Sequence, residues 1–421
     1  MAIELEINKS SAEVFRRAYI KRRSETSGLY ESSWYEITEF VKDWGSVSRS
    51  IDDLRLNIFQ HSGFDLLVRN DTGAFNNEIS FNSLWHGYLS RYRTLIKLEA
   101  GYIDENDAEL PTDTTLGVFI MNDEIPISGI NNSASLRCKS LMSVFNEVKI
   151  SDVSGIYTTL TASELIAKIR DHTDGSSNFI LRQFITSTAW TIQSTSNYYV
   201  FTSEKAGSIT CWDFMQKLAE GEGYVLLINR TGGIEFRDRD ERTSTSQFTF
   251  SGQGFSDQNV IQLIEYKESL NKYFNFFRLQ YLEPDTSTSF VTAGTTTTVD
   301  PSSTAWKYGT RQYDFKLTFP TNTTTAQSIV NNLYSRFNLL KNEIKIKTKF
   351  APQLEISDKV LLNYHSYDTA GQTLWDVFLW DTDSWASEQG ENFDFDNQPF
   401  KIISLNHDLN TLATNITLRD I

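Results

Sequence analysis

The sequence predicts a mainly β protein with an α+β middle, and three observations carry that prediction. Short strand-like runs bounded by Asn, Asp and Gly fill the stretch from about Trp34 to Val148. A second set of alternating runs fills the last third of the chain. Between them, Cys211–Asp240 reads as a helix, a glycine stop and a tight hairpin.

In the first β-rich part, Trp34–Thr38, Phe64–Val68, Leu95–Tyr102 and Val118–Met121 are the strand-like runs. Their spacing suits a small antiparallel barrel or sandwich. The polar stretch Arg69–Gly73 suits a chain reversal.

The middle opens with Thr161-Ala-Ser-Glu164, a capping box followed by Leu165, Ile166 and Ile169 on one helical face. In the next helix Trp212, Met215, Leu218 and Ala219 share a face, and Thr210 with Asp213 caps its start. Gly221 and Gly223 are expected to stop it, because glycine takes the left-handed cap without strain. Tyr224–Asn229 and Ile234–Arg237 then pair across Arg230-Thr231-Gly232-Gly233.

From about Glu283 to Ala305 the composition turns to Thr and Ser, which predicts a mobile loop or insertion without a core. A helix follows, capped by Thr325, with Ile329, Val330, Leu333, Phe337 and Leu340 on one face. Ile344, Ile346, Thr348 and Phe350 alternate with Lys345, Lys347 and Lys349, predicting a half-exposed strand with a lysine-coated outer face. Val360–Tyr364, Trp375–Trp380, Phe400–Asn406 and Thr411–Leu418 continue the β pattern. There is no short sequence repeat, although the two ends could be distant copies of one fold.

Composition narrows the function. The chain has 421 residues, enough for roughly three domains. Its 54 acidic and 39 basic residues give a net charge of −15, which repels nucleic acid at long range. A conduit that passes DNA without gripping it would suit that charge. Cys138 and Cys211 lie far apart and form no CxxC motif, so two free thiols are expected. No apolar run approaches the roughly 18 residues of a transmembrane helix, and MAIELEINKSS lacks the regions of a signal peptide.

Reactive motifs are missing. His61, His86, His172, His365 and His407 show no metal-binding spacing, and no nucleophile elbow, P-loop or dinucleotide fingerprint occurs. The expectation is no enzyme: no catalytic residues, no metal site and no cofactor. Two stretches remain as candidate contacts. In Trp375–Phe395, Trp380 and Trp385 could stack on sugar rings or anchor a protein interface. Asp381 and Asp383 begin like a calcium loop, but Ala386 and Asn392 stand where glycine and glutamate belong. Packing of the tryptophans on their own barrel is the simpler reading. Near the N-terminus, Arg16, Arg17, Lys21, Arg22 and Arg23 could seat an acidic neighbour or a phosphate backbone, or be solvated side chains.

Several segments together resemble one family, the tail or baseplate hub of tailed bacteriophages, related to the N-terminal hub region of siphophage tail-tip proteins. Leu218–Asp240 resembles the family's mid-domain helix and hairpin. Trp34–Val41 and Arg69–Phe75 look like its first barrel, and Phe350–Val360 is similar to the start of its second. Phe400–Arg419 is similar to the closing hairpin of that barrel. The resemblance runs from about residue 30 to the end. The Thr/Ser tract and the Trp-rich loop have no counterpart in it, and no lysozyme-like or peptidase domain is appended.

The resemblance implies two small antiparallel β-barrels joined by a mixed α/β domain. Expected boundaries are an N-terminal arm or strand at 1–33, the first barrel at 34–155 and the middle at 156–282. The Thr/Ser-rich loop follows at 283–310, then the second barrel at 311–421 with an inserted helix at 326–341 and the Trp/Asp-rich loop at 380–396. It also implies a homotrimer in the virion tail tip, assembled in the host cytoplasm. Such a ring would join the sixfold tail tube or a distal tail protein to a threefold central spike, tip or fibre protein, with DNA passing through it. The alternative is a receptor- or carbohydrate-binding tail protein that uses the Trp/Asp-rich loop.

Overall fold

The computed structural model describes the chain except residues 77–84, 173–189, 202–208, 239–244, 295–303 and 366–393, and short stretches of five residues or fewer. The architecture is mainly β with α+β parts, built around a nine-stranded and an eight-stranded sheet.

Six strands form the body of the first sheet. In chain order they are Glu13–Arg22, Val41–Asp43, Phe64–Arg69, Thr94–Ile103, Thr115–Met121 and Ser133–Ser140. Their order in space is 1-4-5-6-3-2, all antiparallel. The short strand Tyr35–Glu36 adds to the free side of strand 1. Only Ile37–Phe40 separate it from strand 2, so the two ends of the path lie within about 18 Å. The Ile37 amide donates to the Ala18 carbonyl at 2.8 Å and the Ala18 amide to the Thr38 hydroxyl at 3.1 Å. These contacts turn an open path into a barrel.

The second sheet repeats the plan. Its strands are Ser246–Ser251, Val260–Glu268, Asn342–Lys349, Lys359–His365, Asp394–Asp408 and Ala413–Asp420, and their order is again 1-4-5-6-3-2. One strand differs in direction: strand 1 runs parallel to strand 4. Its seam is closed by Asn259, which is buried. The Asn259 amide donates to Ser251 O at 2.8 Å, its Oδ1 accepts from the Ser251 amide at 2.9 Å, and its carbonyl accepts from the Lys349 amide at 2.8 Å.

Both barrels carry an insertion between strands 2 and 3. In the first it is the hairpin Ser46–Asp52 and Ile58–His61, which leaves its own sheet to pair with Ser404–Asp408 of the second. In the second it is a three-stranded sheet, Thr288–Gly294, Phe276–Leu282 and Gln312–Lys316, backed by the helix Thr323–Phe337.

These findings revise several sequence expectations. The basic N-terminal segment, expected as an arm or strand ahead of the first barrel, is a strand of that barrel's own sheet, paired over ten residues with Thr94–Ile103. Residues 246–268 belong to the second barrel rather than the middle. The Thr/Ser tract is not a bare loop. Thr288–Gly294 pairs along Phe276–Leu282, and Val291 and Ala305 are buried. Alternation of Thr with one apolar side suits a strand once a partner covers that side. The inserted helix starts earlier, because Asn322 rather than Thr325 caps it, its Oδ1 accepting from the Thr325 amide at 2.9 Å.

The middle holds the helices Ala162–Arg170 and Cys211–Glu222 and the hairpin Tyr224–Ile228/Ile234–Asp238. The predicted capping box at Thr161 and Glu164 is complete. Gly223 takes the left-handed cap at φ 69°. Gly221 instead stays in the helix, where a Cβ would lie 3.1 Å from the Tyr199 hydroxyl and 3.2 Å from Leu317 Cδ1.

Candidate functional site: the joint between the barrels

The turn that joins the hairpin strands of the middle reaches both barrels. Asn229 shapes it, its Oδ1 accepting from the Gly233 amide at 2.7 Å and the Thr231 hydroxyl at 2.9 Å. Gly232 has φ 86°, and a Cβ there would sit 3.1 Å from Val118 Cβ and 3.2 Å from Leu141 Cδ1 of the first barrel. Glycine is therefore required twice, for the conformation and for the approach.

The neighbouring Arg230 faces the second barrel. Its amide donates to Glu355 Oε1 at 3.0 Å, and its guanidinium lies 3.7 Å from the same oxygen. Glu355 also takes Arg49 Nη1 at 3.1 and 3.2 Å. Arg49 sits on the hairpin lent by the first barrel and donates onward to the Leu116 carbonyl. One buried carboxylate thus ties together the middle, the lent hairpin and the second barrel. Burial pulls the Arg49 guanidinium pKa down, and the Glu355 charge opposes that shift.

Further bonds cross the same joint. Tyr102 Oη donates to the Phe350 carbonyl at 2.6 Å, and the Trp44 amide to Asn410 Oδ1 at 3.1 Å. His407 lies in the joint with Nδ1 3.1 Å from the Thr414 hydroxyl. Burial first, and then the positive charges of Arg49 and Arg230, push its pKa down to about 3. It is a neutral structural side chain at ordinary pH.

The basic run predicted as a contact patch is engaged within the chain. Arg16 donates to the Leu409 carbonyl at 2.6 Å and lies 5.3 Å from the Trp44 ring, so it too bridges the barrels. Arg17 pairs with Glu109 at 2.6 Å. Lys21 lies 5.1 Å from the Trp34 ring, and burial lowers its pKa. Arg22 stacks over Tyr35, Trp85 and Tyr88 and reaches Glu31 at 3.4 Å, while Arg23 donates to the Gly28 carbonyl. The other predicted contacts, Trp380, Asp381, Asp383 and Trp385, lie outside the described residues.

Among the described residues, no three His, Cys, Asp or Glu side chains gather as metal ligands. Cys138 and Cys211 are buried free thiols, and burial pushes Cys211 up to about 12, away from the reactive thiolate. What the arrangement can do is hold two barrels at a fixed angle. Sequence reasoning located Glu355 inside a motif but not its partner Arg49, 306 residues away. An arginine inside an otherwise small-polar strand, Ser46-Val-Ser-Arg-Ser50, was the one available signal.

The chain as a whole resembles solved structures. A tail protein from Neisseria meningitidis MC58 superposes with a TM-score of 0.53 at 10% identity, covering 96% of each chain. The chain shares its fold with that tail protein. A prophage tail protein, gp18, from Listeria monocytogenes EGD-e gives 0.49 at 12% identity, covering 96% of this chain and 94% of its own. The 43 kDa tail protein of prophage MuSo2 from Shewanella oneidensis gives 0.47 at 11%, over 96% and 98%. No protein-family model matches the chain. No curated protein matches it either.

Proposed function

We propose that this chain is a structural component of a phage-type tail, a hub that assembles as a homotrimer. The observation that carries the reading is the repeated strand order. Each chain supplies two barrels of one topology, so three chains supply six similar modules around a threefold axis. Closed cyclic assembly of that kind suits a ring. Such a ring can face a sixfold tail tube on one side and a threefold spike, tip or fibre on the other. The Glu355 joint serves this role by fixing the angle between successive modules.

The shared fold over 96% of both chains supports the same reading. In it the work is mechanical: the ring seats the tip, continues the tube lumen and lets DNA pass at ejection. The net charge of −15 supports a lumen that repels phosphate. The lysine row Lys345, Lys347 and Lys349 then faces away from the channel.

Mass photometry of the purified chain, followed by electron microscopy of the particles, tests the proposal. A trimeric ring whose outline is nearly sixfold is the expected result. A chain that stays monomeric at micromolar concentration and with purified tube protein overturns it. A channel lined by the lysine row overturns the repulsive-lumen part alone.

A further inference from the structure

The three-stranded sheet inserted in the second barrel has one face packed on the helix Thr323–Phe337 and one face open. Phe277, Leu279 and Tyr281 are buried on the first face. On the open face, register places Arg278 between Thr292 and Asp314, and Gln280 between Phe290 and Lys316. There Arg278, Gln280, Phe290, Asp314, Phe315 and Lys316 line a shallow groove of about 290 Å³.

The groove's charges are not settled internally. Asp314 stands beside Arg278 in register, yet both its carboxylate oxygens accept from Gln312 Nε2, at 2.7 and 2.9 Å. The Arg278 guanidinium instead stacks over the Phe290 ring, 4.0 Å from its centroid. Among the described residues Arg278 and Lys316 form no ion pair. Stacking fixes the guanidinium plane and leaves its donor edge free, the geometry in which arginine grips a carboxylate with two parallel bonds. Phe290 is 49% exposed, an apolar wall beside that edge. Neither outer strand of this sheet pairs with a further strand among the described residues. An extended segment could therefore run along it.

We propose that this groove docks an extended, mostly neutral segment of a partner protein that carries one carboxylate, held by Arg278 and Lys316, and an apolar side chain against Phe290. Charge complementarity selects the occupant. Asp314 in the groove and the chain's net charge of −15 disfavour a polyanion such as nucleic acid. A single carboxylate on a mostly neutral segment meets neither obstacle. The proposal does not rest on the trimeric hub, because the groove lies within one chain.

The test is fluorescence anisotropy of a labelled, end-capped hexapeptide of Val and Thr with a single Glu, titrated with the full chain. Saturable binding is expected, weakened at least about tenfold in Arg278→Ala and in Phe290→Ala, as loss of a charge-assisted contact implies. A twin peptide with Gln for Glu should bind as weakly as those variants. Lys349→Gln, a charge change on the second barrel, should leave binding unchanged. All of these side chains are at the surface, and matching thermal melts verify that each variant folds. Absence of saturation at millimolar peptide overturns the proposal. So does equal weakening by Lys349→Gln, which would mean a diffuse field. Loss of self-association in Arg278→Ala without peptide binding would assign the groove to a second copy and overturn it too.

Discussion

The two barrels share one strand order and close their seams by different means. In the first, strand 1 runs antiparallel to strand 4 and pairs over ten residues, and the Ile37 amide and the Thr38 hydroxyl complete the closure. In the second, strand 1 is parallel to strand 4, pairs with it at five positions with a register shift, and leaves closure to Asn259. Each seam is closed by one main-chain bond, Ile37 to Ala18 or Asn259 to Ser251, and by one side-chain acceptor, Thr38 or Asn259. The Asn259 side chain adds a second bond, to the Thr249 carbonyl. Substitution in the first seam therefore removes one side-chain bond, whereas the second seam concentrates two on one residue.

The joint bounds both. Glu355→Ala should have the largest effect, because it leaves Arg49 buried without its counter-charge. Breaking a buried pair in this way costs about 3–5 kcal/mol. Urea unfolding should show the midpoint falling by that energy divided by an unchanged slope m. A loss below about 1 kcal/mol would mean that the barrels are held together by packing instead.

The seam comparison gives the next effect. Asn259→Leu removes the partner of the Ser251 amide and also a donor to the Thr249 carbonyl at 3.2 Å. Unsatisfied buried groups cost about 1–3 kcal/mol each, so a loss of about 2–3 kcal/mol is expected. Thr38→Val in the first seam removes a single bond to the Ala18 amide and should cost about 1 kcal/mol. Amide exchange should rise at Ser251 in the first variant and at Ala18 in the second, with the larger loss of stability in the first. Equal losses would erase the distinction between the seams.

The same division between local and distant contacts explains what the sequence revealed. The capping box at Thr161 and the hairpin after Gly223 were legible because every partner lies within a few residues. The lysine alternation at Lys345–Lys349 was legible for the same reason, as a period of two. The strand at Thr288–Gly294 was not, although its partner Phe276–Leu282 is the preceding strand, because the helix Thr323–Phe337 that backs the sheet lies further along the chain. Neither Asn259 nor Arg49 announces its role, since each acts on groups that only the fold brings near. The repeated barrel was legible only as two β-rich ends. Strand order is a property of pairing, and no local pattern records it.

The middle contributes a pH dependence of its own. Glu220, on the last turn of the helix Cys211–Glu222, has its pKa raised by burial from 4.5 to about 7, against opposing effects of Lys217 and Tyr313. The folded chain therefore holds a proton that the unfolded chain has lost. Stability falls as pH rises between about 4.5 and 7, with a slope below about 1.4 kcal/mol per pH unit. The Glu220→Gln variant should lack that decline, so the difference between the two stabilities should grow through this window and level off above it. A constant difference would show that Glu220 titrates normally. In the joint, burial acts on His407 with the opposite sign, so comparing variants rather than whole curves keeps the two apart.

The smallest effect concerns the outer edge of the second barrel. Strand Val260–Glu268 shifts register against Asn342–Lys349 twice, between Val260 and Gln262 and between Leu263 and Glu265. The extra residues at those bulges are Ile261 and Ile264, 57% and 50% exposed. A bulge turns a side chain out of the regular alternation and bends the edge away from accidental pairing. Because neither isoleucine fills the core, Ile261→Ser and Ile264→Ser should each change the stability of the monomer by less than about 0.5 kcal/mol. The comparable strand of the first barrel, Val41–Asp43, is three residues long and carries no such pair. Thermal unfolding of the dilute chain measures the difference. A larger loss would mean that the bulges hold the edge in place, and the second barrel would then depend on side chains at its rim as well as at its seam.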